Sequence, residues 1–406
     1  MEILIAVVKI QQTINLIKYT VKHTTASAFI LITCTFLSTN IHAEERQGLL
    51  LNADVETQYD NNVLRKAKPT SDSSLQISPE LTYLTHMGKH TFAIDYQGEY
   101  AAYNKNSQLN YDDHDLSVYA HLDHSLKVSS RFKLSYKNEV EEPGINNSAP
   151  SLINKFNQTN KKQANAQFFY GTSKSIGQLV VGIDHIQNRY TNNIQNYRDV
   201  DRNKLTGTFF YRIAPKTRLL FQASIGDYNY IIKNQFPDQS SKETFYLAGI
   251  EWDLTAKTSG TFKLGYQGKN FEQPEYNDIT GLSYMLDMTW KPNTYSKISI
   301  GATRMTRESS QLLTSAFITN SYNVDAEHDI TPRTKLSASY IYDNDDIVTT
   351  QSRTDKRHNL KLGINHSLLT WLNISLNYQY IERSSDFELY NYKVNMIGLS
   401  LTTTFK

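Results

Sequence analysis

Residues 372–380 read Leu-Asn-Ile-Ser-Leu-Asn-Tyr-Gln-Tyr, with an apolar or aromatic residue at every even position and a polar residue at every odd one. A period of two is the period of a β-strand, whose successive side chains point to opposite faces of the sheet. The same alternation occurs along 49–60, 92–100, 131–137, 282–290, 336–342, 360–364 and 397–405. The chain is therefore predicted to be all-β, with one apolar and one polar face on each strand.

The predicted strands are long. They run for about 10 to 14 residues, whereas strands of soluble sandwiches have about 5 or 6 and a tilted membrane-spanning strand needs about 9 to 11. Aromatic residues gather toward strand ends, as at Tyr59, Tyr100, Trp290 and Tyr380, and the chain holds 27 Tyr among 406 residues. Aromatic girdles at the two membrane surfaces produce this distribution. The pattern predicts a transmembrane antiparallel up-and-down β-barrel.

The connections between the predicted strands alternate in length. Short turns are expected near residues 88, 129, 177, 215, 257, 292, 332 and 369, and longer polar loops at 60–74, 104–113, 142–160, 190–199, 231–241, 271–279, 307–315, 343–356 and 383–391. This count implies about 18 strands, with 16 as the alternative, and places both chain ends on the short-turn side. Bacterial outer-membrane barrels have this layout, with short periplasmic turns and long outer loops.

A loose repeat marks the short turns. Ala-Pro-Lys-Thr at 214–217 and Thr-Pro-Arg-Thr at 331–334 are echoed by Lys-Pro-Asn-Thr at 291–294. The threonines of successive turns lie about 40 residues apart, which corresponds to one β-hairpin per repeat. A soluble solenoid is the competing interpretation of such a repeat, but the export signal described next and the long strands favour the barrel.

The first 43 residues are predicted to be a signal peptide, and residues 44–406 the barrel. Lys18 and Lys22 precede an apolar run over 26–37, and Ile-His-Ala at 41–43 forms a cleavage site. The basic region is unusually long, which suggests that translation starts further downstream. The single cysteine, Cys34, lies within the apolar run, so the exported chain would contain neither a disulfide nor a thiol nucleophile.

Composition and motifs argue against several functional classes. The net charge of +2 with 20% charged residues does not favour a nucleic-acid partner, and the mean hydropathy of −0.51 does not suit a bundle of membrane helices. Catalytic motifs such as G-x-S-x-G and H-E-x-x-H do not occur, so no enzyme, cofactor or metal is predicted. Acidic clusters at 112–115, 139–142 and 343–346 could attract calcium, but they lack the spacing of a calcium loop.

An 18-stranded barrel is wide enough for a lumen, which the polar strand faces would line. The candidate lining residues are Asp54, Glu56, Asp95, Gln97, Glu99, Arg131, Lys133, Lys137, Glu139, Lys263, Gln267 and Lys269. Their mixed charges and amides suit hydrated neutral or mixed-charge solutes, such as sugars, better than one selected ion. The alternative for each residue is that it only makes the wall polar, as any water-filled lumen requires, and does not select solutes. The loop at 142–160 either folds inward as a constriction or extends as a solvated outer loop.

The chain ends in an alternating segment with Leu399, Leu401 and, next to the last position, Phe405. An apolar strand that closes on a terminal aromatic residue resembles the assembly signal of outer-membrane barrels. Here Lys406 follows the aromatic residue, which departs from the usual signal. We expect these three residues to be read by the barrel assembly machinery of the outer membrane.

Three motifs carry a family resemblance. They are Tyr-Asp-Asn-Asn-Val at 59–63, Ser-Pro-Glu-Leu at 78–81 and Tyr-Arg-Ile-Ala-Pro-Lys-Thr-Arg-Leu at 211–219, the last echoed at 329–336. They resemble the opening segment, the following strand and the recurring hairpin of the putative type-two β-barrel porin family, which is found with exopolysaccharide and capsule loci. The turns near 257 and 369 lack the proline of that hairpin.

The resemblance implies an outer-membrane exit pore for exopolysaccharide or capsular polysaccharide, which guides the polymer passively through a polar lumen. It also implies a periplasmic polysaccharide export protein as a partner, besides outer-membrane lipid and the assembly machinery. The alternative is a general or sugar-selective diffusion porin, and an outer-membrane enzyme is less favoured. All of these hypotheses place the protein in the bacterial outer membrane.

Overall fold

The computed structural model describes residues 47–144, 155–232, 238–255, 257–309, 316–347 and 352–405. The predicted signal peptide, residues 1–43, lies outside this part of the chain, so the division into signal and barrel stays a prediction. No helix within the described ranges has the length and apolar character needed to span a membrane. Short 3₁₀ turns occupy Ser107–Leu109, Asn196–Arg198 and Glu388–Tyr390.

Eighteen long strands make up the described fold. Their bounds are β1 Gly48–Asp60, β2 Asp72–Met87, β3 His90–Tyr103, β4 Tyr111–Asp123, β5 Val128–Glu141, β6 Asn157–Tyr170, β7 Gly177–Tyr190, β8 Val200–Ala214, β9 Thr217–Tyr230, β10 Ser241–Thr255, β11 Thr258–Phe271, β12 Ile279–Trp290, β13 Ser296–Glu308, β14 Ala316–Thr331, β15 Thr334–Ile347, β16 Arg353–Leu369, β17 Leu372–Ser385 and β18 Tyr392–Phe405. The strand count confirms the prediction. The connections follow the predicted alternation less closely: β15 extends to Ile347 and β16 begins at Arg353, so only five residues separate these strands where a long loop was expected at 343–356, whereas six residues separate β6 from β7 at an expected short turn.

The strands close into one antiparallel barrel. Each strand pairs with its neighbours in sequence, and β1 pairs with β18 from Leu51↔Phe405 to Asp60↔Met396. Closure leaves no free sheet edge, which the interior of a bilayer requires because lipid cannot hydrogen-bond to an unpaired backbone. An antiparallel up-and-down barrel of 18 strands is therefore the observed fold.

The apolar strand faces point outward. On β5, Leu134 is 59% exposed while Lys133 lies on the opposite face, and on β1 the exposed Val55 alternates with Asp54 and Glu56. Exposed apolar side chains on nearly every strand form a continuous outer surface. A surface of this size would be unstable in water, and it matches the lipid-facing band of a membrane barrel.

The repeated turns join strands through two-residue connections. Pro215 and Lys216 connect β8 to β9, and Pro332 and Arg333 connect β14 to β15. Proline suits the first central position of such a turn because its ring holds φ near −65°. The strand register shifts by one residue beside each of these turns, so the turn carries a bulge. The turn after Trp290 is longer, although its sequence belongs to the same repeat.

The C-terminal strand completes the barrel wall. Leu399 and Leu401 are exposed on its outer face, and the ring of Phe405 stacks on Trp371 with centroids 6.3 Å apart. The backbone N–H of Thr404 donates to the carbonyl of Trp371 at 2.9 Å. Both contacts attach the last strand to the β16–β17 turn. Recognition of this strand by assembly machinery stays a prediction.

The two faces of β17 predict effects of very different size for the same substitution. Leu376→Arg places a charge in lipid and should lower the free energy of unfolding by about 2–4 kcal/mol. Asn377→Arg places the same charge on the inner face, and we expect a change within about 0.5 kcal/mol. Reversible urea unfolding in phospholipid vesicles measures both. Equal losses for the two variants would contradict the assigned faces.

Candidate functional site

The barrel lumen is the candidate functional site. The structure places all twelve predicted lining residues on strand faces opposite the exposed apolar side chains, namely Asp54 and Glu56 on β1, Asp95, Gln97 and Glu99 on β3, Arg131, Lys133, Lys137 and Glu139 on β5, and Lys263, Gln267 and Lys269 on β11. They are spread over four strands and do not converge on one point. Their part in solute passage stays a prediction.

Most of these side chains contact polar neighbours on other strands. Lys137 forms an ion pair with Asp115 at 2.5 Å, and Asp95 accepts a hydrogen bond from Thr82 at 2.9 Å. Glu99 accepts a hydrogen bond from the Tyr111 hydroxyl. Such pairs keep the wall polar while neutralising part of its charge. The wall thus presents both signs along its length.

The lumen is open in the half nearest the short turns. Lys133, Lys361 and Asn377 are exposed on inner faces, and their sequence neighbours Leu134 and Leu376 are exposed on the outer face. Solvent can reach both faces of a strand only if the space enclosed by the barrel is accessible. Because short turns face the periplasm in outer-membrane barrels, this open half is the periplasmic one.

The half nearest the long loops is packed instead. Lys269 and Gln267 have no exposed surface, and Val394 on β18 has none either. Ile381, Tyr392, Val394 and Met396 form a buried apolar cluster on the inner faces of β17 and β18. Side chains that would line an open pore are therefore covered. The covering comes from two sources, a strand end and the loops.

The strand end is the outer part of β13 and β14. Pairing of β12 with β13 stops at Tyr284↔Arg304, whereas β13 continues to pair with β14 as far as Glu308↔Ala316. Beyond Arg304, β13 leaves the wall and leans inward against the inner face of β11. We call the described residues 305–308 and 316–319 the inward tip.

Polar contacts hold the inward tip in place. The Thr306 N–H donates to Gln267 Oε1 at 3.1 Å, and its hydroxyl donates to Glu243 at 2.8 Å. Lys269 Nζ lies 2.5 Å from Glu308 Oε1 and 3.6 Å from the centre of the Tyr228 ring. Glu308 is thus the partner of a fully buried ammonium group. Removing this carboxylate would leave the charge of Lys269 buried without its closest counter-ion.

The loops supply the second part of the covering. After β5, the carbonyl of Gly144 accepts a hydrogen bond from Arg383 of β17 at 3.3 Å, although five strands separate β5 from β17 around the wall. At the other end of this loop, Phe156 packs with Val63, Leu64 and Leu109 of the first and second loops. Both described ends of the predicted 142–160 loop therefore lie at the mouth of the lumen. Residues 145–154 are outside the described part.

A buried ion pair anchors the fourth outer loop to the rim. The Arg198 guanidinium donates to both carboxylate oxygens of Glu141, at 2.8 and 2.6 Å, and lies 4.2 Å from the centre of the Tyr190 ring. Burial lowers the pKa of Arg198, but the hydrogen bonds and charge of Glu141 outweigh it, so its pKa is raised overall. The pair is charged at every physiological pH.

Sequence reasoning did not identify the residues that narrow the lumen. Thr306, Glu308 and Arg383 belong to ordinary alternating strands, and nothing in their local sequence shows that the strand leaves the wall. The sequence did contain a sign of two other inward-facing residues. Phe-Phe-Tyr occurs at 168–170 and 209–211, and three consecutive aromatic residues break the alternation, so one must face inward. These are Phe169 and Phe210.

The described ranges contain no group of three His, Cys, Asp or Glu side chains close enough to hold a metal ion. The acidic cluster at 112–115 instead has its members on alternating faces of β4. His121 contacts Asp123 at 3.1 Å and also accepts a hydrogen bond from Arg131. This arrangement places a carboxylate and a guanidinium beside the imidazole.

The ion pair in the inward tip can be tested by a double-mutant cycle. Glu308→Gln should lower the free energy of unfolding by about 3 kcal/mol. This value is at the lower end of the range for breaking a buried ion pair, because 29% of the Glu308 side chain is exposed. Lys269→Met combined with Glu308→Gln removes both charges, and we expect a smaller loss than for Glu308→Gln alone. Urea unfolding is measured for the wild-type protein, for Glu308→Gln and Lys269→Met alone, and for the double variant. Additive losses would show that the two charges do not stabilise each other.

Solved structures similar to this chain include an outer-membrane protein, a porin and an iron transporter, all bacterial. OpdK of Pseudomonas aeruginosa, crystallised with vanillate, shares 10% identity, with 88% of this chain and 98% of that chain covered and a TM-score of 0.49. A BenF-like porin of Pseudomonas fluorescens Pf-5 has 12% identity, with 88% of this chain and 98% of that chain covered and a TM-score of 0.49. The FrpB iron transporter of Neisseria meningitidis shares 9% identity, with 84% and 64% covered and a TM-score of 0.52. At these identities the likeness concerns the fold.

A comparison with curated protein sequences finds no match. The family model described as "Putative beta-barrel porin 2" matches residues 51–405, which is almost the whole barrel. The match agrees with the resemblance found in the turn motifs. Together with the closed barrel and its apolar outer band, it places the protein in the bacterial outer membrane as a porin-like barrel. The chain belongs to the Putative beta-barrel porin 2 family.

Proposed function

We propose that this barrel is a diffusion channel for small hydrated solutes. The observation that carries the proposal is the accessible lumen of the periplasmic half, where inner-face residues such as Lys133, Lys361 and Asn377 are exposed. A water-filled space lined by amides and charges of both signs lets a solute exchange its hydration shell for weak wall contacts.

The packed outer half supports a size limit for this channel. The inward tip and the described parts of the first three outer loops lie at the mouth, with Val63 and Leu64 of the first loop buried among apolar neighbours. A polymer in transit needs a continuous wide path, whereas a small solute can pass through narrow gaps between loops. The arrangement therefore favours small solutes over a chain of sugars.

The polysaccharide-export role expected from the family resemblance has no support from these comparisons. The family model and the similar structures concern porins and transporters, and none of their descriptions names a polysaccharide. The periplasmic export partner and the polymer substrate remain expectations. The diffusion channel is therefore the proposal that the barrel's geometry supports better.

Liposome swelling tests the channel directly. The purified barrel is reconstituted into vesicles, which are diluted into solutions of sugars of increasing size. We expect swelling with monosaccharides that declines as the sugar becomes larger, because the outer half narrows the path. A folded barrel that gives no swelling with the smallest sugar would refute the channel proposal. If a deletion strain no longer secretes polysaccharide, and the intact gene restores secretion, the export role would be favoured over the diffusion channel.

A second experiment asks whether the inward tip narrows the channel. Thr306→Val removes the hydroxyl bond to Glu243 of β10, and Glu308→Gln removes the charge that pairs with Lys269 of β11 and weakens the bond from Tyr230 of β9. We expect a larger single-channel conductance in planar bilayers. Glu327→Gln is the matched control, since this residue is a carboxylate of β14 near the short-turn end. Equal conductance in all three proteins would mean that the tip does not limit ion flow.

A further inference from the structure

A second feature of the lumen lies near its periplasmic end. A cavity of about 430 Å³ is lined by side chains of β5 to β9 and by the β4–β5 and β6–β7 turns. Its inner wall presents Arg131, Phe169, Gln178, Phe210 and Arg218 from five successive strands. Two arginines thus flank two inward phenylalanines around a central amide. We call this set the arginine–phenylalanine pocket.

Arg131, on one side of the pocket, carries a positive charge that no ion pair compensates. Its guanidinium lies 4.7 Å from the centre of the Phe169 ring, and its Nε donates to His121 Nδ1 at 3.2 Å. Among the residues that the structure describes, no carboxylate forms an ion pair with it and its two Nη atoms have no hydrogen-bond partner. The side chain is exposed to the lumen. Four N–H donors therefore remain for a solute.

Arg218 is held differently on the other side. Its Nε and Nη2 donate to Glu251 Oε1 at 3.1 and 2.5 Å, and its Nη1 donates to Gln178 Oε1 at 2.7 Å. The guanidinium lies 4.2 Å from the centre of the Phe210 ring. Its charge is therefore balanced by Glu251. The inner wall of the pocket keeps one unpaired positive charge, that of Arg131, and suits a single negative group.

The two phenylalanines give the pocket an apolar surface inside a polar lumen. Phe169 and Phe210 are half-buried, and Val180 lies between them on β7. Lys127 and Asp123, which have opposite charges, lie at the turn that borders the cavity. A solute that contacts this wall gains apolar contact area with the rings while its charged end reaches Arg131. A solute with a flat apolar body next to an anionic group would make both contacts, one with the rings and one with Arg131.

We propose that the arginine–phenylalanine pocket binds a small carboxylate with a planar apolar body. The carboxylate accepts hydrogen bonds from the Arg131 Nη atoms, and the planar body packs against Phe169 and Phe210. This deepens the channel proposal by naming the solute class that the periplasmic half holds. It rests on that proposal only for its role in transport, because binding itself needs no flow.

Benzoate is the probe for the test. Its binding to the purified barrel is measured by calorimetry in detergent, and its effect on chloride current is measured in planar bilayers. Gluconate supplies a carboxylate without a planar apolar body, and benzyl alcohol supplies the ring without the charge. We expect benzoate to bind more tightly than either compound and to reduce the current from the periplasmic side.

Three variants locate the binding. Arg131→Gln should weaken benzoate binding about tenfold, as expected for the loss of hydrogen bonds to a charged group. Phe169→Leu should weaken benzoate binding and leave gluconate binding unchanged. Lys361→Gln is the matched control, because it removes an exposed lumen cation on β16, away from the pocket, and it should leave the affinity unchanged. The shift of the folded band on electrophoresis shows that each variant is folded.

Two results would overturn the inference. One is equal benzoate affinity in Arg131→Gln and Lys361→Gln, which would mean that general lumen charge attracts the anion. The other is equal affinity of the wild-type barrel for benzoate and gluconate. Failure of the channel proposal is separate, since a barrel without conductance can still bind benzoate in calorimetry. A conducting barrel that does not bind benzoate would overturn only the pocket.

Discussion

Backbone hydrogen bonding in the absence of water is the constraint on which the whole structure depends. Within lipid, every strand N–H and C=O must find a partner in the protein, and only closure of the sheet satisfies the two edge strands. Pairing of β1 with β18 supplies that closure. Once the sheet is closed, period-two alternation must separate the apolar outer face from the polar inner one, and a lumen follows.

The same constraint explains where the wall is allowed to break. Pairing between β12 and β13 ends five residues before the outer end of β12, close to the membrane surface, where water can solvate free backbone groups. The departing strand brings its own polar groups inward, and Gln267, Glu243 and Lys269 bind them. The interruption is thus compensated inside the barrel. It converts a wall strand into part of the constriction.

In the proposed channel, the two halves of the lumen have different roles. The inward tip and the described parts of the loops narrow the outer half, while the periplasmic half is open and carries the arginine–phenylalanine pocket. Buried ion pairs hold parts of the outer half together, as in Arg198–Glu141 and Lys269–Glu308. Selectivity by size and selectivity by chemistry would then lie at different depths.

The sequence by itself determined the strand number, the two faces, the positions of most turns and the membrane location, because alternation and turn chemistry are local properties. Leu134 and Lys133 could be assigned to opposite faces without a structure. Only the tertiary structure decided that Glu308 meets Lys269 and that Arg131 stacks on Phe169. Such contacts join separate strands, and they depend on barrel curvature, strand stagger and the path of the loops, none of which leaves a periodic mark in the sequence.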